Sequence, residues 1–154
     1  MKNLIQISFA LLFTLFSFAT LAQKNKSVKP QLFAKCDEVI PININILERI
    51  MDYHQGEMVA ISFNNQLEFK GEVISSEMIY HNLQTVLIRS KYLENTLLKI
   101  SRIQEDDQTF RYVGRMINPE AADGYELKKN KSNQYTMEKF EITALLQDCQ
   151  GNKD

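Results

Sequence analysis

Apolar and polar residues change rhythm three times along this chain. Residues 4–18 form a predominantly apolar run, residues 23–31 (QKNKSVKPQ) are polar and basic, and from Val39 onward the apolar positions become periodic. Ile42, Ile44 and Ile46 alternate as in a strand, yet Ile46, Leu47, Ile50 and Met51 share one helical face. With Asn43 or Asn45 available as a cap and Gly56 as a terminator, the spacing predicts a helix from about Ile44 to His54. Beyond Gly56 the period becomes two. Met58 to Phe63 reads as a strand turned by Asn64-Asn65, and Leu67, Phe69, Gly71 and Val73 then alternate with Glu68, Lys70 and Glu72.

Further strands are expected at Thr85 to Ser90, Thr96 to Ile103, Phe110 to Ile117, Tyr125 to Lys128 and Tyr135 to Lys139, separated by polar turns. Phe140 to Gln147, with Phe140, Ala144 and Leu145 on one side, reads as a closing helix. Short connections require antiparallel neighbours. Gly71 and Gly114 fall in mid-strand, where glycine marks a bend. The expected class is therefore mainly β (α+β): about seven antiparallel strands in a coiled sheet or partly closed barrel, with one helix at each end.

The opening run changes the domain assignment. Lys2, the apolar core from Leu4 to Phe18, and small residues at Thr20 and Ala22 fit a secretory signal over 1–22, cut after Ala22. Residues 23–31 would then be a disordered polar leader, 32–150 a single disulfide-stapled domain, and 151–154 a tail. The first cysteine, Cys36, is too far from the cut to carry a lipid, so the product is expected to be soluble and secreted or periplasmic, with no membrane span after cleavage. Cys36 and Cys149 are the two cysteines of the chain. In an oxidising compartment an even pair favours a bridge. Closing such a loop contributes up to about 4.7 kcal/mol in the chain-entropy account.

Composition narrows the function. The chain has 154 residues, net charge −1 and 44% apolar content. Without the leader run, 17 bases face 19 acids, a net of −2. Phosphate attraction needs a clear basic excess, so no nucleic-acid partner is expected.

Catalytic constellations are sparse. His54 and His81 are the only histidines, and they form no HExxH or Cys/His spacing, so no metal site or cofactor is expected. His54 reads as a helix-end residue and His81 as a loop residue. A serine triad assembled from Ser75, His81 and Asp106 has no local motif behind it. The acids Glu105, Asp106 and Asp107, and Glu120 with Asp123, lack calcium-loop spacing.

What remains is a set of bases on the central strands: Arg89, Lys99, Arg102, Arg111 and Arg115. Arg111 and Arg115 share strand parity with Val113 and Ile117, and one register adds Lys99 to that face. Phe69, Val73, Leu98, Ile100, Phe110, Tyr112 and Met116 would line the core. The leading expectation is a non-catalytic exported module that recognises another exported protein or surface polymer through a sheet face or edge, with Arg111, Arg115 and Lys99 as binding residues. The alternatives are a carrier of a small apolar ligand inside the curled sheet, and a small secreted hydrolase.

Overall fold

The computed structural model describes residues 29–142. Eight strands form one antiparallel sheet: β1 (Val39–Ile42), β2 (Met58–Ser62), β3 (Glu68–Tyr80), β4 (Leu83–Arg89), β5 (Leu97–Gln104), β6 (Phe110–Ile117), β7 (Asp123–Lys129) and β8 (Tyr135–Glu141). Their spatial order is β1-β8-β7-β6-β5-β4-β3-β2, so β2 through β8 run as a meander while β1 lies at the far border beside β8. A single described helix, α1 (Ile44–Met51), joins the two borders. The sheet curls into a half-barrel, and α1 packs on its concave side against β4 and β5.

The mainly β class is as expected, but the strand count is eight. The additional strand is β1, whose pattern runs without a break into the helix. It forms because Ile40 and Ile42 pair with Met137 and Tyr135 of β8 and enter the core. The helix is shorter than expected. Asn43 caps it, its side-chain Oδ1 accepting from the Asn45 N–H at 3.0 Å, and it ends at Met51, so His54 lies beyond it. Leu47, Ile50 and Met51 are its buried face. The closing helix does not start at Phe140, because Phe140 pairs with Gly124 inside β8; residues 143–147 of that helix lie outside the described residues.

The core is the concave face. Ile61, Phe69, Val73, Val86, Ile88, Leu98, Ile100, Met116, Tyr125 and Met137 meet the buried face of α1 there. Two mid-strand glycines let the sheet curl. A Cβ on Gly71 would collide with the Arg89 carbonyl, and one on Gly114 would lie 2.5 Å from Ile100 Cδ1 and 2.6 Å from the Lys99 carbonyl oxygen. Strand β3 also carries two register shifts, at Ile74 and Ile79. Each shift reverses which face the following residues occupy.

The N-terminal described segment closes one end of the half-barrel. Phe33 is buried edge-to-face against Tyr125, with ring centroids 5.2 Å apart. Buried Asp123 accepts from the N–H groups of Leu32 and Phe33 at 2.7 and 3.0 Å. Tyr125 donates its hydroxyl to the Asp37 carbonyl at 2.6 Å, and Pro30 accepts from the Ala122 N–H.

The two sheet borders differ. In β1, Pro41 sits where the backbone faces away from β8, which removes a donor from that border. In β2, the sequence MVAIS carries neither charge nor proline, and among the described residues its outer side pairs with no strand.

Candidate functional site

The ladder register decides which cations meet. Across the convex face one row runs Leu87–Lys99–Arg115–Glu126–Glu138, and its neighbour runs Thr85–Ser101–Val113. Lys99 and Arg115 are therefore directly opposite each other, as the sequence reading allowed. Arg111 shares the face but pairs with Ile103, four residues further along β6, roughly 13 Å away at strand spacing. The parity of Arg102 is opposite; it points to the concave side together with Tyr112.

Partners separate these cations further. Arg115 donates through Nε and Nη2 to Glu126 Oε1 at 2.9 and 2.7 Å, and its guanidinium lies 5.9 Å from the Phe140 ring. Arg111 donates through Nε to Glu105 Oε1 at 2.5 Å. Next along the row, Lys128 holds Glu138 at 2.9 Å, and this bond keeps the half-buried Glu138 carboxyl below its ordinary value. Lys99 is exposed and has no carboxylate partner among the described residues. Like charges facing each other across a ladder repel. Glu126 offsets that for Arg115, and Lys99 is left uncompensated.

Around Lys99 lies a groove of about 400 Å³ lined by Leu87, Leu97, Val113, Ile117, Ser101 and Arg115. Its floor is satisfied: Ser101 and Thr85, both buried, share a hydrogen bond of 2.8 Å. The aliphatic walls are half-buried to exposed, so the groove mixes hydrocarbon with an uncompensated cation at Lys99. Sequence parity placed Arg111, Arg115, Val113 and Ile117 on one face, with Lys99 joining them under one register; Leu87, Leu97 and Ser101 were not foreseen there. The loss of Arg111 and Arg115 to Glu105 and Glu126 was not legible, because it depends on which acids the neighbouring strands bring alongside.

The other candidates take structural positions. Ser75 pairs with Leu87 in mid-β3, whereas His81 sits in the β3–β4 turn, on the order of 20 Å along the strand, so the two do not form a triad. His54 is an exposed turn residue whose backbone N–H donates to Glu57 at 3.0 Å. Asp107 closes the β5–β6 turn by accepting from the Thr109 N–H and hydroxyl at 3.0 and 2.6 Å, bonds that lower its carboxyl. No group of three His, Cys, Asp or Glu side chains converges among the described residues. Every buried side-chain nitrogen and oxygen among them has a hydrogen-bond partner.

Cys36 is half-buried beside the end of β8, where Lys139 Nζ donates to its carbonyl at 2.8 Å. Burial pushes its thiol up, against the opposing pull of Lys139. Cys149 lies outside the described residues. Among the described residues, no helix is long and apolar enough to cross a membrane. Compared with family models, with curated proteins and with solved structures, the chain matches none.

Proposed function

We propose that the chain is an exported, non-catalytic binding module that holds an acidic, extended segment of another exported protein on the convex face of its half-barrel. The observation that carries this reading is Lys99, an exposed cation without a carboxylate partner among the described residues, set in a groove walled by Leu87, Leu97, Val113 and Ile117. Apolar walls supply contact area and the cation supplies register and sign. Arg115 extends the positive strip when its bond to Glu126 is shared with an incoming carboxylate, and Arg111 lies further along the same face.

Export and the Cys36–Cys149 bridge belong to the same proposal. Ile142, the last described residue, follows directly on β8, whose Lys139 holds the Cys36 carbonyl. Six residues then separate it from Cys149, seven Cα steps that span up to about 23 Å when extended. A raised thiol favours a structural cysteine over a reactive one. An interior carrier has less support, since Leu47, Ile50 and Met51 fill the hollow that a ligand would occupy. A second reading rests on the outer border of β2, whose uncharged, proline-free backbone suits strand addition by an extended peptide.

One experiment separates face from border. A photo-cross-linking residue is placed at Val113 or at Ala60 in the full exported chain, and adducts formed in the native extract are mapped. Adducts from position 113 that vanish in Lys99→Glu, with the melting curve unchanged, support the groove. Adducts from position 60 alone transfer the function to the β2 border. Silence at both positions discards the proposal.

A further inference from the structure

The concave side of the half-barrel has a mouth at the end where the β3–β4 and β5–β6 turns lie. A cavity of about 110 Å³ opens there, lined by Met78, His81, Asn82, Gln84, Arg102 and Phe110. The half-buried Arg102 guanidinium is fixed from two directions. Its Nη2 donates to Gln84 Oε1 at 2.7 Å, and its Cζ lies 4.8 Å from the Phe110 ring centroid. Gln84 is itself anchored, its Nε2 donating to the Met51 carbonyl at the end of α1 at 2.8 Å. A relay from helix to glutamine to arginine thus sets the orientation of the guanidinium plane before any ligand arrives.

The partners of Arg102 are neutral. Arg111 and Arg115 each meet a carboxylate, whereas Arg102 has none within ion-pair distance among the described residues. Gln84 and the neighbouring Tyr112 hydroxyl, both neutral, take part of the donor fork and leave the rest unused. A guanidinium held over an aromatic ring, with unused donors and apolar neighbours, matches the two oxygens of a carboxylate. The mouths of β-barrels are among the places where small-molecule sites recur.

We propose that this mouth binds a monocarboxylate carried on an apolar or aromatic group, with the carboxylate on Arg102 and the apolar part against Phe110 and Met78. A monoanion matches a single guanidinium in so small a space. Phosphate, which carries more than one negative charge near neutral pH, is disfavoured. The same chemistry is offered by a free aryl or alkyl carboxylate and by the carboxyl terminus of a peptide ending in an apolar residue. The site is independent of the convex groove, which lies on the other face of the sheet.

The test is a titration of the full exported chain, followed by the NMR signals of the Arg102 Nε–H and the Gln84 side-chain amide. The probes are benzoate, a short peptide ending in phenylalanine with a free carboxylate, the same peptide as its amide, and inorganic phosphate. Saturable shifts are expected with benzoate or the peptide acid, and none with the amide or phosphate. Saturation by benzoate alone assigns the site to free carboxylates; stronger binding of the peptide acid assigns it to chain termini. Arg102→Lys keeps the charge and loses the fork, so affinity should fall about tenfold or more. Equal binding of acid and amide, unchanged affinity in Arg102→Lys, or no saturable shift at either signal overturns the proposal.

Discussion

Replacing Asp123 by asparagine tests whether the N-terminal segment is held by charge or by shape. The carboxylate is 1% exposed, and each of its oxygens accepts one backbone N–H, from Leu32 at 2.7 Å and from Phe33 at 3.0 Å. An amide of the same size keeps one acceptor and turns its NH₂ toward the other N–H. One charge-assisted bond is lost and a buried donor is stranded, together about 3 kcal/mol. At roughly 4 °C per kcal/mol for a domain of this size, the midpoint should drop by about 12 °C. Phe33, packed on Tyr125, depends on the same anchor, so the Leu32 and Phe33 amides should exchange with solvent about a hundredfold faster. Urea unfolding followed by far-ultraviolet circular dichroism supplies the first number, and hydrogen exchange the second. Asp107→Asn is the control. That carboxylate also accepts from a backbone N–H, at Thr109, but in an exposed turn, so its loss should cost far less than that of the buried Asp123 carboxylate. If Asp123→Asn is no more destabilising than Asp107→Asn, burial is not what gives the anchor its strength and the reasoning fails.

Two further outcomes follow from the core. Gly114→Ala places a methyl group against Ile100 and the Lys99 carbonyl, and should cost about 2–3 kcal/mol in denaturant unfolding; full stability would show that the ladder gives way easily there. Burial pushes the Tyr125 hydroxyl well above its ordinary value near 10. Above pH 10 the unfolded chain releases that proton while the native chain keeps it, so stability should fall with rising pH in this range. Tyr125→Phe should flatten that alkaline slope without abolishing it, since Tyr112 is also raised by burial; an unchanged slope would remove Tyr125 from the account.

The meander from β2 to β8 was legible because turn residues and period-two alternation coincide, most clearly at Glu68 to Val73. Alternation then fails at Ile74, where the bulge shifts the register, so β3 reads as ending where it in fact continues to Tyr80. Strand β1 was hidden for a different reason: isoleucines at every second position run from strand into helix, and only pairing with β8 separates them. Parity placed Lys99, Arg111 and Arg115 on one face. It gave no sign of the carboxylates that occupy two of them, because Glu105 and Glu126 are brought there by turn geometry and ladder register. Arg102 stood among the same bases with nothing in the sequence to set it apart. Its role depends on Gln84 and Phe110, residues 18 and 8 positions away along the chain.

The unlike flanks of the sheet limit how copies of this molecule can polymerise. A fibril built flank to flank needs every copy to offer two joinable sides. Here Pro41 interrupts one of them, and among the described residues only the MVAIS side remains. Two copies joined through that side form a two-fold pair with no joinable flank left over, so growth by this route terminates at a dimer. Proline-to-valine replacement at position 41 would remove the stop and convert a self-limiting contact into an open-ended one.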